Sequence, residues 1–242
     1  SNIMGFYRGP NIVTDGLVYA MDAGSGRSYD GTTTLNDLVG SGTGTLTNGV
    51  TYQSINGGVF DFDGADDYID FNSFLVPGIS QYDTITNFTI SVWVNWDHFP
   101  IGNYDEIISW WRPGTDPYSD AFLGTTTSSA QGGSAANPGI RFGDGWTNTG
   151  ANFTAATDVG KWWQITAVKT SNNAYVYFND VLKATKGSAL SWGFNYPPTI
   201  GRHPNGGEYF DGKIANMKLY NTALSAEEVT QNFNAQKTRF GL

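Results

Sequence analysis

The chain has 242 residues, with 13 Lys and Arg against 22 Asp and Glu, no cysteine, and a formal charge of −9. The missing thiols exclude a disulfide framework, a thiolate metal site and a cysteine nucleophile, and the acidic balance argues against a surface that tracks nucleic-acid phosphates or an anionic membrane. Gly at 31 residues, aromatics at 15% and charged residues at only 14% describe a large β protein with many turns, because Lys and Glu favour helices whereas Gly, Asn and Asp favour turns.

No apolar run reaches the 18 residues of a membrane span, and no signal-peptide pattern is present. Residues 1–15 read as an N-terminal extension, with 1–3 as a tag scar ahead of Met4-Gly5, and residues 16–242 as one domain. Leu17–Met21 is the first strand, and the Gly-, Ser- and Thr-rich stretch 24–51 is a long excursion with short strands. Val59–Phe62 and Tyr68–Phe71 flank the turn Asp63-Gly64-Ala65-Asp66-Asp67.

Phe88–Trp96 has the clearest period of two. Ile90, Val92, Val94 and Trp96 share one side and Thr89, Ser91, Trp93 and Asn95 the other, which predicts a half-buried antiparallel strand. Glu106–Trp111 is the next strand, and 125–138 is a loop of small residues. Gly139–Phe142, Trp162–Lys169, Ala174–Phe178 and Val181–Thr185 continue the meander, the last two joined by a two-residue turn at Asn179-Asp180. Thr199–Arg202 and Phe210–Tyr220 close the sheets, with Ala215, Met217 and Leu219 alternating against Asn216, Lys218 and Tyr220.

One helix is predicted over 226–236. Ser225 and Glu228 have capping-box spacing, Leu224 and Val229 that of a hydrophobic staple, and Lys237 and Arg239 follow near the negative end of the dipole. About a dozen short strands with one terminal helix mean a sandwich or barrel. No linker, second composition regime or internal repeat is visible.

GLVYAMDAG at 16–24, VFDFDGADDYIDF at 59–71, FTISVWV at 88–94 and GKWWQITAV at 160–168 are the first stretches of a pattern. YVYFNDVLKA at 175–184, IGR at 200–202 and YFDGKIANMKLYNTALSAEEVTQNF at 209–233 complete it. In order and spacing they resemble the laminin-G-like, concanavalin A-like jelly-roll domains of bacteriophage tail and virion proteins and marine bacterial surface proteins. The resemblance spans residues 16 to 236. The opening RGPNIVTDGLV and the ending KTRFGL resemble phage sequences in particular.

The resemblance implies an all-β, two-sheet antiparallel jelly-roll sandwich with one short C-terminal helix, in an extracellular or virion setting. It implies carbohydrate or glycoprotein binding, adhesion or virion decoration, and calcium at the rim in many members. The partners expected are a glycan or glycoprotein surface and other virion proteins, with no nucleic acid and no membrane insertion.

Catalysis is disfavoured by the residues themselves. The fold also hosts hydrolases with a Glu-x-Asp-x-x-Glu strand, whose alternation aligns two carboxylates about 5–5.5 Å apart. Here the only glutamates are Glu106, Glu208, Glu227 and Glu228, and no two share a strand in that pattern. The lyases of the fold use a Gln-x-His strand, but Gln164-Ile165-Thr166 lacks the histidine. A purely structural decoration domain remains the first alternative, and an enzyme the third reading.

Asp61, Asp63, Asp66, Asp67 and Asp70 form the most conspicuous charge feature. Calcium takes 6–8 oxygens, often from two or three carboxylates plus carbonyls, so Asp63, Asp66 and Asp67 are candidate ligands, with Asp22 joining if the first strand lies alongside. Sugar binding needs an aromatic face and fork-like polar groups. The candidates are Tyr104, Trp110, Trp111, Arg112, Arg141, Trp146 and Arg202. Strand alternation lets only one of Trp110 and Trp111 point into the core.

Overall fold

The computed structural model describes residues 10–80, 83–110, 121–143, 148–187, 192–194 and 196–242. In chain order the strands are β1 (Leu17–Asp22), β2 (Thr34–Asn36), β3 (Thr43–Thr47), β4 (Thr51–Gln53), β5 (Val59–Asp63), β6 (Tyr68–Phe71), β7 (Asp83–Ile85), β8 (Phe88–Trp96) and β9 (Tyr104–Ser109). There follow β10 (Phe122–Thr126), β11 (Gly139–Phe142), β12 (Asn148–Asn152), β13 (Trp163–Lys169), β14 (Asn173–Phe178), β15 (Val181–Gly187), β16 (Trp192–Phe194), β17 (Thr199–Ile200) and β18 (Asp211–Tyr220). A four-residue helix α1 (Ala155–Asp158) and the C-terminal helix α2 (Ala226–Gln236) complete the chain.

Two large antiparallel sheets make the sandwich. Sheet I runs β15-β14-β13-β8-β18-β5-β4, with β1 also paired to β18, and sheet II runs β12-β11-β10-β9-β17-β6-β3-β2. β5 lies in sheet I and β6 in sheet II, so the acidic turn 63–67 is a corner that carries the chain between the sheets at one end of the sandwich. β14 and β15 meet through Asn179, whose φ of 59° suits a two-residue hairpin.

Between the sheets, Ile90, Val92, Val94 and Trp96 of β8 join one continuous core. Trp96 lies 5.1 Å from Phe153 and 5.8 Å from Phe210, ring centre to ring centre. The far side of β8, expected to face solvent, is buried as well: all nine residues of the strand are.

The cover is the C-terminal segment. The capping box forms as its spacing predicts, with the Ser225 hydroxyl accepting from Glu228 N at 3.3 Å and the Glu228 carboxylate accepting from Ser225 N at 2.8 Å. Leu224 and Val229 pack in one cluster. The helix then lays Phe233 onto Trp93 at 5.8 Å, and a short 3-10 turn over 237–240 stacks Phe240 on the same indole at 4.1 Å. Arg239 does not complement the helix dipole as expected. Its guanidinium reaches across to Asp22, with Nη1 at 2.9 and 2.8 Å from the two carboxylate oxygens, and donates to Gly58 O at 2.7 Å.

Two further readings are corrected. Val13 is buried, donates to Asn232 Oδ1 at 2.8 Å and accepts from the Tyr220 hydroxyl at 3.1 Å, so a domain boundary at residue 16 cuts through packed structure. In β18 the register shifts between Ile214 and Asn216. This bulge places Ala215 with Trp93 and Phe240 on the outer face, while Met217 and Leu219 face inward.

Candidate functional site

The corner between β5 and β6 brings together the three aspartates expected to hold an ion. Asp63 folds the corner: its Oδ1 accepts from Ala65 N at 2.9 Å and Asp66 N at 3.2 Å. These N–H bonds, Ala65's above all, pull its carboxyl below the ordinary range. Asp67 turns inward, and its Oδ2 accepts from Asp63 N at 3.1 Å. Its Oδ1 is buried without a hydrogen-bond partner. Burial pushes the Asp67 carboxyl up, and the neighbouring charges of Asp63, Asp66 and Asp61 add to this against the Asp63 N–H bond.

One oxygen from each of Asp63, Asp66 and Asp67 lies within 4.8 Å of the others. Two ligands of a single calcium at about 2.4 Å can stand no farther apart than about 4.8 Å, so the set fits one ion.

Asp22 does not belong to this set. Both β1 and β5 lie against β18, but Asp22 pairs with Asn216 and Asp63 with Asp211. Five residues of strand separate them, roughly 16 Å at about 3.3 Å per residue, and Asp22 is held by Arg239. Asp70 lies on β6 opposite Thr45 and Thr199, an exposed position beyond the corner.

Two hollows flank the corner. One, of about 260 Å³, is lined by Asp61, Asp63, Asp67, Asp97 and Asp211 beside Gly49. Lys213 bridges Asp61, at 3.2 Å, and Asp97. The other, of about 290 Å³, shares Asp211 and is walled by His98, Phe99, Tyr104, Glu208 and Tyr209. His98 Nδ1 contacts Asp211 Oδ2 at 2.8 Å. Ile101, at the lip of this hollow, is 98% exposed.

Behind Glu208 lies a polar cluster that sequence reasoning did not assemble. Gly124 of β10 stands opposite both Glu106 of β9 and Arg141 of β11. A Cβ at Gly124 would come 2.1 Å from Asp105 O and 3.0 Å from a Glu106 carboxylate oxygen, so the glycine keeps open the lane through which the two charges meet. Arg141 Nη1 contacts Glu106 at 3.2 Å and Glu208 at 3.3 Å. Its guanidinium lies 4.4 Å from the centre of the Tyr104 ring and 4.8 Å from that of Phe122.

Glu106 is 1% exposed. Burial pushes its carboxyl well above the ordinary range, although the Arg141 charge pulls the other way. Glu208 adopts φ 52°, a strained region for a residue with a side chain. The loop before β18 holds it there: Glu106 N donates to Glu208 O at 3.0 Å, Gly201 N to Ile107 O at 3.0 Å and Phe210 N to Gly201 O at 2.9 Å.

The expected sugar-binding residues divide. Tyr104 lines the second hollow. Arg141 is 4% exposed and committed to the two glutamates, so it is not an offered fork. Arg202 lies flat on Tyr68, 3.3 Å from the ring centre. Trp110 is fully buried, donates to Phe74 O at 2.9 Å and packs edge-on against Phe88 and Phe194. Its burial agrees with the expectation that one of Trp110 and Trp111 enters the core, and removes it as a sugar-binding face; β9 itself ends at Ser109, and its pairing with β10 slips at Ile107, so Ile107 and Ile108 both face the core. Trp111, Arg112 and Trp146 lie outside the described residues. Glu208, Tyr209 and His98 were missed as site residues. The run Gly206-Gly207-Glu208, with three successive positive φ angles, is the one local hint.

The sequence profile of the concanavalin A-like lectin/glucanases superfamily, Laminin_G_3, matches residues 63–230. No curated protein matches the chain by sequence. Among solved structures, domain 4 of the extracellular GH43 arabinanase AbnA from Geobacillus stearothermophilus, in complex with arabinotriose, superposes with a TM-score of 0.63 at 17% identity, over 90% of this chain and 98% of that one. The botulinum neurotoxin serotype D binding domain gives 0.67 at 16%, over 92% of this chain and 51% of that one. A Trypanosoma rangeli sialidase in complex with sialic acid gives 0.63 at 14%, over 94% and 34%. The chain thus spans about half the length of the toxin binding domain it matches. At these identities the likeness is one of fold. No helix among the described residues is long and apolar enough to cross a membrane.

Proposed function

Because the chain belongs to the concanavalin A-like lectin/glucanase superfamily, we propose that it is a non-catalytic carbohydrate-binding module whose site is the paired hollow at the β5–β6 corner. The observation that carries this reading is the union, at one end of the sandwich, of a three-carboxylate ion cradle with a hollow walled by Tyr104, Tyr209 and Phe99. Aromatic walls suit the apolar face of a sugar ring, and Glu208 and Asp211 offer acceptors to its hydroxyls. The arabinotriose-bound domain of similar fold and length supports the same class of ligand. Adhesion on a phage tail, virion or bacterial surface is proposed only from the resemblance of the motifs at 16–71 and 209–233.

The carboxylates do not favour hydrolysis. Glu106 and Glu208 share one nitrogen of Arg141, and Glu106 is sealed from solvent. A retaining pair must both reach the glycosidic bond, from either side of it.

Calcium is proposed at Asp63, Asp66 and Asp67. The partnerless Asp67 Oδ1 is the strongest support, since a buried carboxylate oxygen without a donor is costly. Calcium at 100 times its dissociation constant should stabilise the fold by about 2.7 kcal/mol. The melting temperature should therefore rise with millimolar calcium, fall on chelation, and lose this response in Asp67→Asn. An unchanged melting temperature would remove the ion from the reading.

A glycan array, probed with and without chelator, tests the module itself. Selective binding that weakens at least about tenfold, or ~1.4 kcal/mol, in Tyr209→Ala is the expected result. Selective binding indifferent to Tyr209 and Glu208 would move the site elsewhere on the surface.

A further inference from the structure

We infer, on the basis of the carbohydrate reading above, that the ligand of this site is an uncharged glycan, bound through its hydroxyls, and that glycans carrying carboxylates are rejected. The two hollows share Asp211, and their charged walls are Asp61, Asp63, Asp67, Asp97 and Glu208 besides. Among the described residues lining them there is no Lys or Arg.

The cations nearest in the fold are turned to other work. Lys213 is held between Asp61 and Asp97, Arg141 is buried against Glu106 and Glu208, and Arg202 is stacked on Tyr68. One divalent ion at Asp63, Asp66 and Asp67 and the Lys213 ammonium between Asp61 and Asp97 offset charge at the corner, but Glu208 and Asp211, the latter beside His98, still line the ligand space, and the carboxylates outnumber the cations.

The charged groups the site presents are therefore mostly acceptors. Sugar hydroxyls supply the matching donors, whereas a ligand carboxylate supplies none and adds repulsion. The strained backbone at Glu208 points the same way: φ 52° is held by three backbone hydrogen bonds to and within its loop, and fixes a carboxylate at the wall of the hollow with Arg141 behind it. The partnerless Asp67 Oδ1, in the wall of the first hollow, marks this end of the sandwich as built to receive a ligand atom, the proposed ion first among them.

The test is titration of the full chain, in saturating calcium, with a panel of hexose oligomers and their counterparts oxidised to uronates at C6. Each pair matches in size and linkage and differs in charge. At low salt the neutral member should bind at least about tenfold more tightly. That gap should narrow in 0.5 M salt and in the double variant D97N/D211N, because exposed charges are screened within a few ångströms at high ionic strength. Equal or tighter binding of the uronates would overturn the inference while leaving the carbohydrate reading intact. A preference for neutral members that ignored both salt and the double variant would overturn its electrostatic cause. Binding to no member of any pair would overturn the carbohydrate reading, and this inference with it.

Discussion

Replacing Phe240 with alanine is expected to lower the unfolding free energy by about 3–5 kcal/mol, the usual cost of deleting a buried aromatic ring. Phe240 is two residues short of the end of the sequence, past the last helix or strand that the sequence predicts. Yet it is 7% exposed and stacks near-parallel on Trp93 at 4.1 Å, with Trp162 at 4.8 Å on the same ring.

The loss would reach further than one contact. Trp93 Nε1 donates to Gln236, Trp162 Nε1 to Asn56, and Arg239 ties the same turn to Asp22 and Gly58. Lys218 sits beneath this cover, donating to Asn216 and Gln236, and burial pushes it down to about 7. Opening the cover would hydrate a lysine and an indole on the outer face of sheet I. Urea unfolding followed by tryptophan fluorescence reads the change, and thermal unfolding should shift by roughly 6–20 °C at about 2–4 °C per kcal/mol for a domain of this size. A loss below about 1 kcal/mol would mean that the C-terminal turn is not part of the cooperative fold.

Arg141→Met should cost about 3–5 kcal/mol near pH 8, because it strips the cation from a buried carboxylate and strands the charge. The pH dependence follows from Glu106. Its folded pKa already lies well above the unfolded value, so its contribution is fully present below about pH 4 and is lost as pH rises through the folded pKa. Arg141 is what limits that rise, so without it the loss steepens. The deficit of the variant should be largest at pH 8 and shrink towards pH 5, and R141M/E106Q should recover part of it. A deficit equal at both pH values would show that the arginine acts by packing between Tyr104 and Phe122, not through its charge. The same variant frees Glu208 from its anchor and should weaken glycan binding.

What the sequence determined is what local interactions determine. The capping box at Ser225 and Glu228 and the corner at 63–67 are set by side chains bonding to backbone a few residues away, and the hairpin at Asn179-Asp180 by the positive φ that Asn179 tolerates. The period of two in β8 was likewise legible, because pleating alternates side chains whatever the partner strand. That the three corner aspartates stand together was legible for the same reason: five consecutive residues cannot separate far.

Tertiary structure decided everything that depends on which strand lies beside which. β8 is buried on both faces because a segment over 130 residues later returns to cover Trp93, an event no pattern within the strand can announce. A single-residue slip against β10 sends Ile107 and Ile108 to the same side, which alternation within the strand cannot foretell. Asp22 and Asp63 share a neighbour strand yet lie five residues apart along it. Glu106, Arg141 and Glu208 are separated by 35 and 67 residues in the chain, and they meet only because Gly124 faces both partner strands and leaves the space between them empty. Charge pairing across a sheet is fixed by register, and register is a property of the assembled sheet.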